Sequence, residues 1–321
     1  MSSVLYAQAY PAEFYIYTKM TKLSKESVAG YAAGITTGVT YGLNPLFAVP
    51  LMRDGANVDT ILFFRYFISV FILGGWLLVR GQSFKVSSKQ LLRLSILGML
   101  FAASSFCLFE AYRYIPSGLA TTIVFLYPVL VAIIMVFMKV YPTWQVWLAI
   151  IMTFIGVIIL CRTDSPQTFQ WSGVALAVSS ALAYAMFIVI VNRSRRLRTV
   201  PNTLLTFYAL LAGSLCFFIH ILTAGHPLMQ GISGWTSWTN LVCLAILPTI
   251  ISTATLAAST RLIGATKASV LGVFEPVTAI LVGALAFGES ITVNIIIGIA
   301  LTMAAIVFMI ASSKLAKEYF T

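Results

Sequence analysis

Charge is the scarcest commodity in this sequence. Asp, Glu, Lys and Arg make up 9% of the 321 residues, against about 25% in a soluble domain. Hydrophobic residues reach 60%, and the mean hydropathy is +0.96. No water-soluble core absorbs that much apolar side chain, so a soluble globular domain is excluded and the natural solvent is a bilayer. Histidine is nearly absent: His220 and His226 stand apart, and neither begins a metal motif. The four cysteines, Cys107, Cys161, Cys216 and Cys243, are scattered through apolar stretches with no Cys-x-x-Cys spacing, which speaks against a zinc site or a redox pair. A phosphate-binding Gly-x-x-x-x-Gly-Lys-Ser/Thr loop is missing, which argues against direct ATP drive. The apolar runs are continuous and do not alternate, against a β-barrel.

Long apolar runs, by contrast, are plentiful. The expected fold is an all-α integral membrane protein with ten transmembrane spans, near 28–51, 58–79, 91–112, 117–138, 143–161, 171–191, 202–222, 238–257, 266–287 and 291–311. The connections are short, leaving little for a soluble domain. The stretch 1–27 lacks the basic start and apolar run of a signal peptide. It reads as an amphipathic or disordered lead-in, with Met1 and Met20 both open as starts, and 312–321 as a tail.

The net charge of +11 raises the possibility of nucleic acid, but topology accounts for it. With the N-terminus inside, 16 of the 20 Lys and Arg fall in inner segments. Arg53, Arg113 and Arg162 fall outside, and Arg65 lies within a span. That is a positive-inside bias placing both termini in the cytoplasm. The expected location is the inner or plasma membrane, and no nucleic-acid partner is expected.

The chain also repeats itself. FEAYRYIPSGLATTIVFLYPVLV, from 109, lies over AASTRLIGATKASVLGVFEPVTA, from 257, at an offset of 148 that superposes Arg113 on Arg261 and Pro128 on Pro276. GYAAGITTGVTY, from 30, matches GVALAVSSALAY, from 173, with Tyr41 over Tyr184. Each half holds five spans, an odd number, so the second half enters the membrane upside down. Inverted repeats of this kind are a hallmark of secondary transporters whose substrate site lies near the midplane.

RYIPSGLA (113–120) and LYP (126–128) in the first half, with RLIGATKAS (261–269), FEP (274–276) and GES (288–290) in the second, resemble the EamA family of the drug/metabolite transporter superfamily. The resemblance covers roughly 28–311, as a first repeat 28–161 and a second 171–311. It implies two five-helix EamA repeats and a carrier for a small organic metabolite, such as an amino acid or a derivative, often exported. One departure is visible: Val140-Tyr141 stands where the second half has Gly288-Glu289.

The candidate site follows from the few polar residues in the spans. Glu275 stands about nine residues into its span, roughly 14 Å deep at 1.5 Å per residue, where a carboxylate is costly unless protonated, paired or facing water. Pro276 removes a backbone donor and frees a carbonyl near Gly272, which suits a hinge. The acid reads as a site for a substrate amine or a coupling proton, or else as a protonated glutamate bonded between helices. Tyr127, beside Pro128, and the repeat pair Tyr41 and Tyr184 are candidates for stacking on or hydrogen-bonding a substrate, or for plain packing. Arg65 is expected to snorkel beside a carboxylate, with Glu110 or a substrate anion as other partners. Glu110 and Arg113 are three apart and suit a pair on one helical face. Gly30, Gly34, Gly38 and Gly42 form a bare stripe for close helix packing, and Asn44-Pro45 bends the helix after it. Neither cofactor nor metal is expected. An integral-membrane enzyme would need converging His, Asp, Ser or metal ligands. A channel would need rings of carbonyls or charges. Both stay as alternatives to a carrier, as does a scaffold protein.

Overall fold

A computed structural model of the chain describes residues 11–139, 144–161, 170–194, 196, 197, 199–225, 227–263, 268 and 271–318. Arg162, Arg195, Arg198, His226, Lys267, Val140 and Tyr141 lie outside the described residues. The rest is helical, as a bilayer demands, because only a helix satisfies its own backbone donors and acceptors without water. The helices are α1 (Pro11–Gly42), α2 (Asn44–Arg53), α3 (Val58–Val79), α4 (Ser88–Ala111), α5 (Ser117–Val124), α6 (Tyr127–Phe137), α7 (Trp144–Cys161) and α8 (Trp171–Arg193). They continue as α9 (Asn202–Ala224), α10 (Gly234–Ala245), a π-helical turn (Ile246–Ile251), α11 (Ser252–Ile263), α12 (Phe274–Phe287) and α13 (Val293–Glu318).

Among the described residues, six helical stretches are long and apolar enough to cross a membrane: 58–79, 88–111, 117–137, 171–191, 202–224 and 234–263. Phe274–Phe287 and Val293–Ala305 are shorter apolar helices. The expected span 28–51 is helical apart from Leu43, within α1–α2, and residues 144–161 form α7. In the lead-in, α1 is already helical from Pro11 and runs through Met20 without a break.

The outer surface is clad in large apolar side chains such as Phe71, Val79, Phe137, Leu281 and Leu285. Exposed tryptophans mark helix ends: Trp144 and Trp171 open α7 and α8, and Trp235 is the second residue of α10. Amphipathic indoles collect at that depth, where ring and N–H meet the headgroups.

Helix pairing is unchanged when the two halves are exchanged. Helix α1 packs on α11 and α12, while α8 packs on α4, α5 and α6. Helices α3 and α9 pair with each other, as do α7 and α13. Between apolar helices in lipid, close packing substitutes for a hydrophobic drive, and the glycine stripe of α1 provides it. A Cβ on Gly34 would strike Leu271 and Ser259, and one on Gly30 would meet Leu262 and Ile263. On Gly38 it would meet Phe274 at 2.8 Å, and on Gly42 the Glu275 carbonyl oxygen at 2.5 Å. The stripe therefore lays α1 directly against α11 and the start of α12.

Prolines interrupt the helices, and three of the orphaned carbonyls find other donors. Pro45 cannot bond the Tyr41 carbonyl, so Asn44 Nδ2 donates to it at 2.8 Å. Pro248 leaves the Leu244 carbonyl, which takes the Thr249 hydroxyl at 2.9 Å inside the π-helical turn. Pro276 leaves the Gly272 carbonyl, which accepts from the Glu275 N–H at 3.0 Å. The α5–α6 break at Phe125–Leu126 and the break before α12 at Gly272–Val273 occupy matching places in the two halves.

Candidate functional site

The breaks bring four helices together around one spot. Tyr41 ends α1, Tyr127 opens α6, Tyr184 lies midway along α8, and Glu275 is the second residue of α12. The rings of Tyr127 and Tyr184 meet edge to face at 4.8 Å between centroids. Tyr184 stacks on Phe187 at 6.0 Å, and Phe125 closes on Tyr127 at 5.7 Å. The Glu275 carboxyl is within electrostatic reach of Tyr41, Tyr127 and Tyr184 at once. All four residues are partly buried among the helices. Among the described residues the Glu275 carboxyl accepts no hydrogen bond and forms no ion pair. Its position is set by backbone: Gly38 and Gly42 let α1 touch the Glu275 main chain.

Arg65 departs from its expected role. It does not snorkel: only 1% of it is exposed. Nor does it reach Glu110, whose carboxyl sits 3.5 Å from Arg113 instead. The physical reason is direction, since α3 turns this face to α10 and not to lipid. Arg65 Nε donates to Thr249 Oγ1 at 2.8 Å, and that hydroxyl in turn donates a hydrogen bond to the Leu244 carbonyl. The guanidinium lies over the rings of Phe109 and Tyr66, 5.6 and 5.9 Å from their centroids. Tyr66 is held in turn by a 2.6 Å hydrogen bond with Ser105. Arg65 Nη2 is buried with no hydrogen-bond partner.

Above this region, at the end of the bundle bearing loops 54–57, 112–116 and 288–292, opens a cavity of about 600 Å³. Arg53, Asn57, Tyr112, Arg113, Phe287 and Glu289 are among its walls. Tyr112 lines this vestibule and shares a 3.3 Å hydrogen bond with Thr121. Glu289 joins the two halves. Gly288, at φ +67°, turns the chain so that the Glu289 carboxylate caps α5, accepting from Ser117 N, Ser117 Oγ and Gly118 N at 2.8, 2.7 and 3.3 Å. A carboxylate at a helix N-terminus satisfies free N–H groups and the positive end of the dipole.

Tyr41, Tyr127, Tyr184 and Glu275 are thus gathered, with Arg65 nearby. Pro128, Pro276, Gly272, Asn44 and Pro45 stand at the helix breaks that shape the space, and the four glycines back it. Sequence reasoning missed Tyr112, Thr249, Glu289 and Asp59. Asp59 is buried beside His220, 3.0 Å from its Nδ1, with the other carboxylate oxygen unpartnered. Its charge at the second position of span two was a readable signal, as was Glu289 beside a glycine. Among the described residues no three His, Cys, Asp or Glu stand close enough to hold a metal ion.

Comparison with known proteins points the same way. A profile described as "EamA-like transporter family" matches residues 28–162 and again 171–311. A Synechocystis protein named "Uncharacterized transporter sll1319" is 30% identical over 207 residues, 63% of this chain and 61% of its own length. An Archaeoglobus fulgidus protein named "Uncharacterized transporter" is 24% identical over 277 residues, 86% of this chain and 94% of its own. "Uncharacterized transporter YdfC" of Bacillus subtilis is 23% identical over 237 residues, 73% of this chain and 76% of its own. A crystal structure superposes with a TM-score of 0.62 at 19% identity, covering 92% of this chain and 99% of the other, a likeness of fold alone.

Proposed function

The chain belongs to the EamA-like transporter family, and on that premise we propose that it is a secondary carrier for a small organic metabolite bearing an amino group. In this reading ten spans form two inverted five-helix repeats, and the halves rock about the Glu275 chamber to open it alternately to each side. The observation that carries the proposal is Glu275: a carboxyl with no protein partner among the described residues, at a helix break, ringed by three tyrosines drawn from both halves. An ammonium suits that enclosure twice over, as counter-ion to the carboxylate and as a cation over aromatic faces. A proton takes the same carboxylate when substrate leaves, which makes Glu275 the coupling group as well. The exchange-invariant pairing of helices and the doubled profile match support the inverted repeat. Both termini then face the cytoplasm, in an inner or plasma membrane.

The test is counterflow in proteoliposomes. Purified protein loaded with an unlabelled amine-bearing metabolite should accumulate the labelled form transiently and saturably. A conductance that rises without saturation would retire the carrier in favour of a pore.

A further inference from the structure

We propose that the end of the bundle bearing residues 80–93 and 193–200 is a binding surface for anionic phospholipid, with the headgroup phosphodiester on its cations and the acyl chains along α3 and α4. Residues 80–93 carry four Lys and Arg, and residues 193–198 carry four more. The chain has no Asp or Glu between 60 and 109, nor between 165 and 274. The fold ties these two acid-free stretches together. Gln90 Nε2 donates to the Arg196 carbonyl at 3.1 Å and to Thr199 Oγ1 at 3.2 Å, and Arg93 Nη1 donates to Ser194 Oγ at 2.5 Å. Tyr208 Oη donates to the Phe84 carbonyl at 2.6 Å, and Leu77, Leu94, Leu197, Val200 and Leu204 share one buried apolar cluster. The two connections thus form one platform. Arg80, Lys85, Lys89, Arg193 and Arg196 are exposed on it, and among the described residues none of them has an acid within ion-pair distance.

Orientation bias asks only that cations lie on one side of the membrane, on any loop. It does not ask that half of the 16 inner ones, four plus four, fall in or beside the α3–α4 and α8–α9 connections. Two details point to an anionic partner of the bilayer itself. Lys89 is the second residue of α4, where a cation meets the positive end of the helix dipole, and no acid stands in that first turn. An anion from outside the chain offsets that repulsion. The border of the platform is shaped for lipid: the Arg80 guanidinium lies over the Trp76 ring, 5.3 Å from its centroid, and Leu78, Val79, Leu91 and Leu92 are exposed beside the cations. Aliphatic side chains, an indole and then cations follow the order in which a phospholipid presents acyl chain, glycerol and phosphate. A soluble polyanion would use the cations and leave that aliphatic border bare. In the topology proposed above this end meets the cytoplasmic leaflet, whose surface is negative.

The experiment uses purified, delipidated protein in a neutral detergent, titrated with phosphatidylglycerol, phosphatidylcholine or inorganic phosphate. Binding is read from the shift in unfolding temperature and from the lipid retained in native mass spectra. Phosphatidylglycerol should stabilise the protein and bind at least tenfold more tightly than phosphatidylcholine, and inorganic phosphate at the same concentration should give no shift. Lys85→Gln and Lys89→Gln should each weaken phosphatidylglycerol binding roughly fivefold, and both together with Arg80→Gln should erase the preference. Arg53→Gln, at the other end of α3, should leave it unchanged. If the triple variant fails to fold, the two exposed single variants carry the test. Equal binding of the two lipids overturns the proposal, as does a preference that survives Lys85→Gln and Lys89→Gln undiminished. An equal loss in Arg53→Gln overturns it by showing a response to net charge alone. A shift matched by inorganic phosphate overturns it in favour of a free-anion site, and an oligonucleotide that displaces the lipid overturns it in favour of nucleic acid.

Discussion

At the scale of single residues, the loudest signals in the sequence were charges in apolar company. Glu275 was legible because nothing else in Phe274–Phe287 is ionisable. Arg65 was legible as present but not in its fate, because whether an arginine snorkels depends on which way its face of the helix points. Thr249 and Tyr112 left no mark at all, since threonine and tyrosine are ordinary residues of apolar spans. Their roles appear only once Arg65 and the vestibule surround them. Glu275→Gln keeps size and hydrogen-bonding shape while deleting the charge. Counterflow should fall to background, whereas the unfolding temperature should hold, because the amide matches the protonated carboxyl of the empty carrier in size and shape. A melting curve and a transport assay on the same preparation check both halves of that statement; normal transport would sink the assignment. Tyr66→Phe removes the 2.6 Å bond to Ser105 and should cost about 1 kcal/mol of stability, read as a lower melting temperature with amine binding retained.

At the scale of elements, helix existence was readable and helix continuity less so. Prolines announced the breaks at Pro128 and Pro276, but the π-helical turn at Ile246–Ile251 depends on a hydroxyl reaching the Leu244 carbonyl, which no spacing rule reveals. The glycine stripe of α1 was visible as a four-residue period, though not which helices it meets. It meets α11 and the backbone of Glu275. Gly42→Ala should therefore cost roughly 1–3 kcal/mol through overpacking, since its Cβ would come within 2.5 Å of the Glu275 carbonyl oxygen. Gly75→Ala, on α3 with nothing within 4 Å of its Cβ, should be neutral or gain up to about 1 kcal/mol. Thermal unfolding of the two variants side by side decides the matter. Equal losses would mean that the stripe is not a tight contact.

At the scale of the whole molecule, the sequence showed a duplicated plan, because a repeat leaves paired motifs even when identities are few. What it hid is how the halves are fastened together. Both ends of the chain should report from the same side of the membrane in fusions to side-specific reporters; opposite sides would break the inverted plan. Besides helix packing, Glu289 fastens them, accepting hydrogen bonds from Ser117 and Gly118 at the start of α5 in the other half. The corresponding place in the first half reads Val140-Tyr141, with no carboxylate to offer. Two perfectly equivalent halves would make an empty carrier's two orientations degenerate, each occupied half the time. A buckle on one end alone lifts that degeneracy: a cap worth about 1–2 kcal/mol biases the idle population by roughly tenfold. If the halves rock as proposed, the unloaded protein should park with one mouth open. Glu289→Ala should release it, seen as a change in how fast a membrane-impermeant thiol reagent labels Asn57→Cys in the absence of substrate.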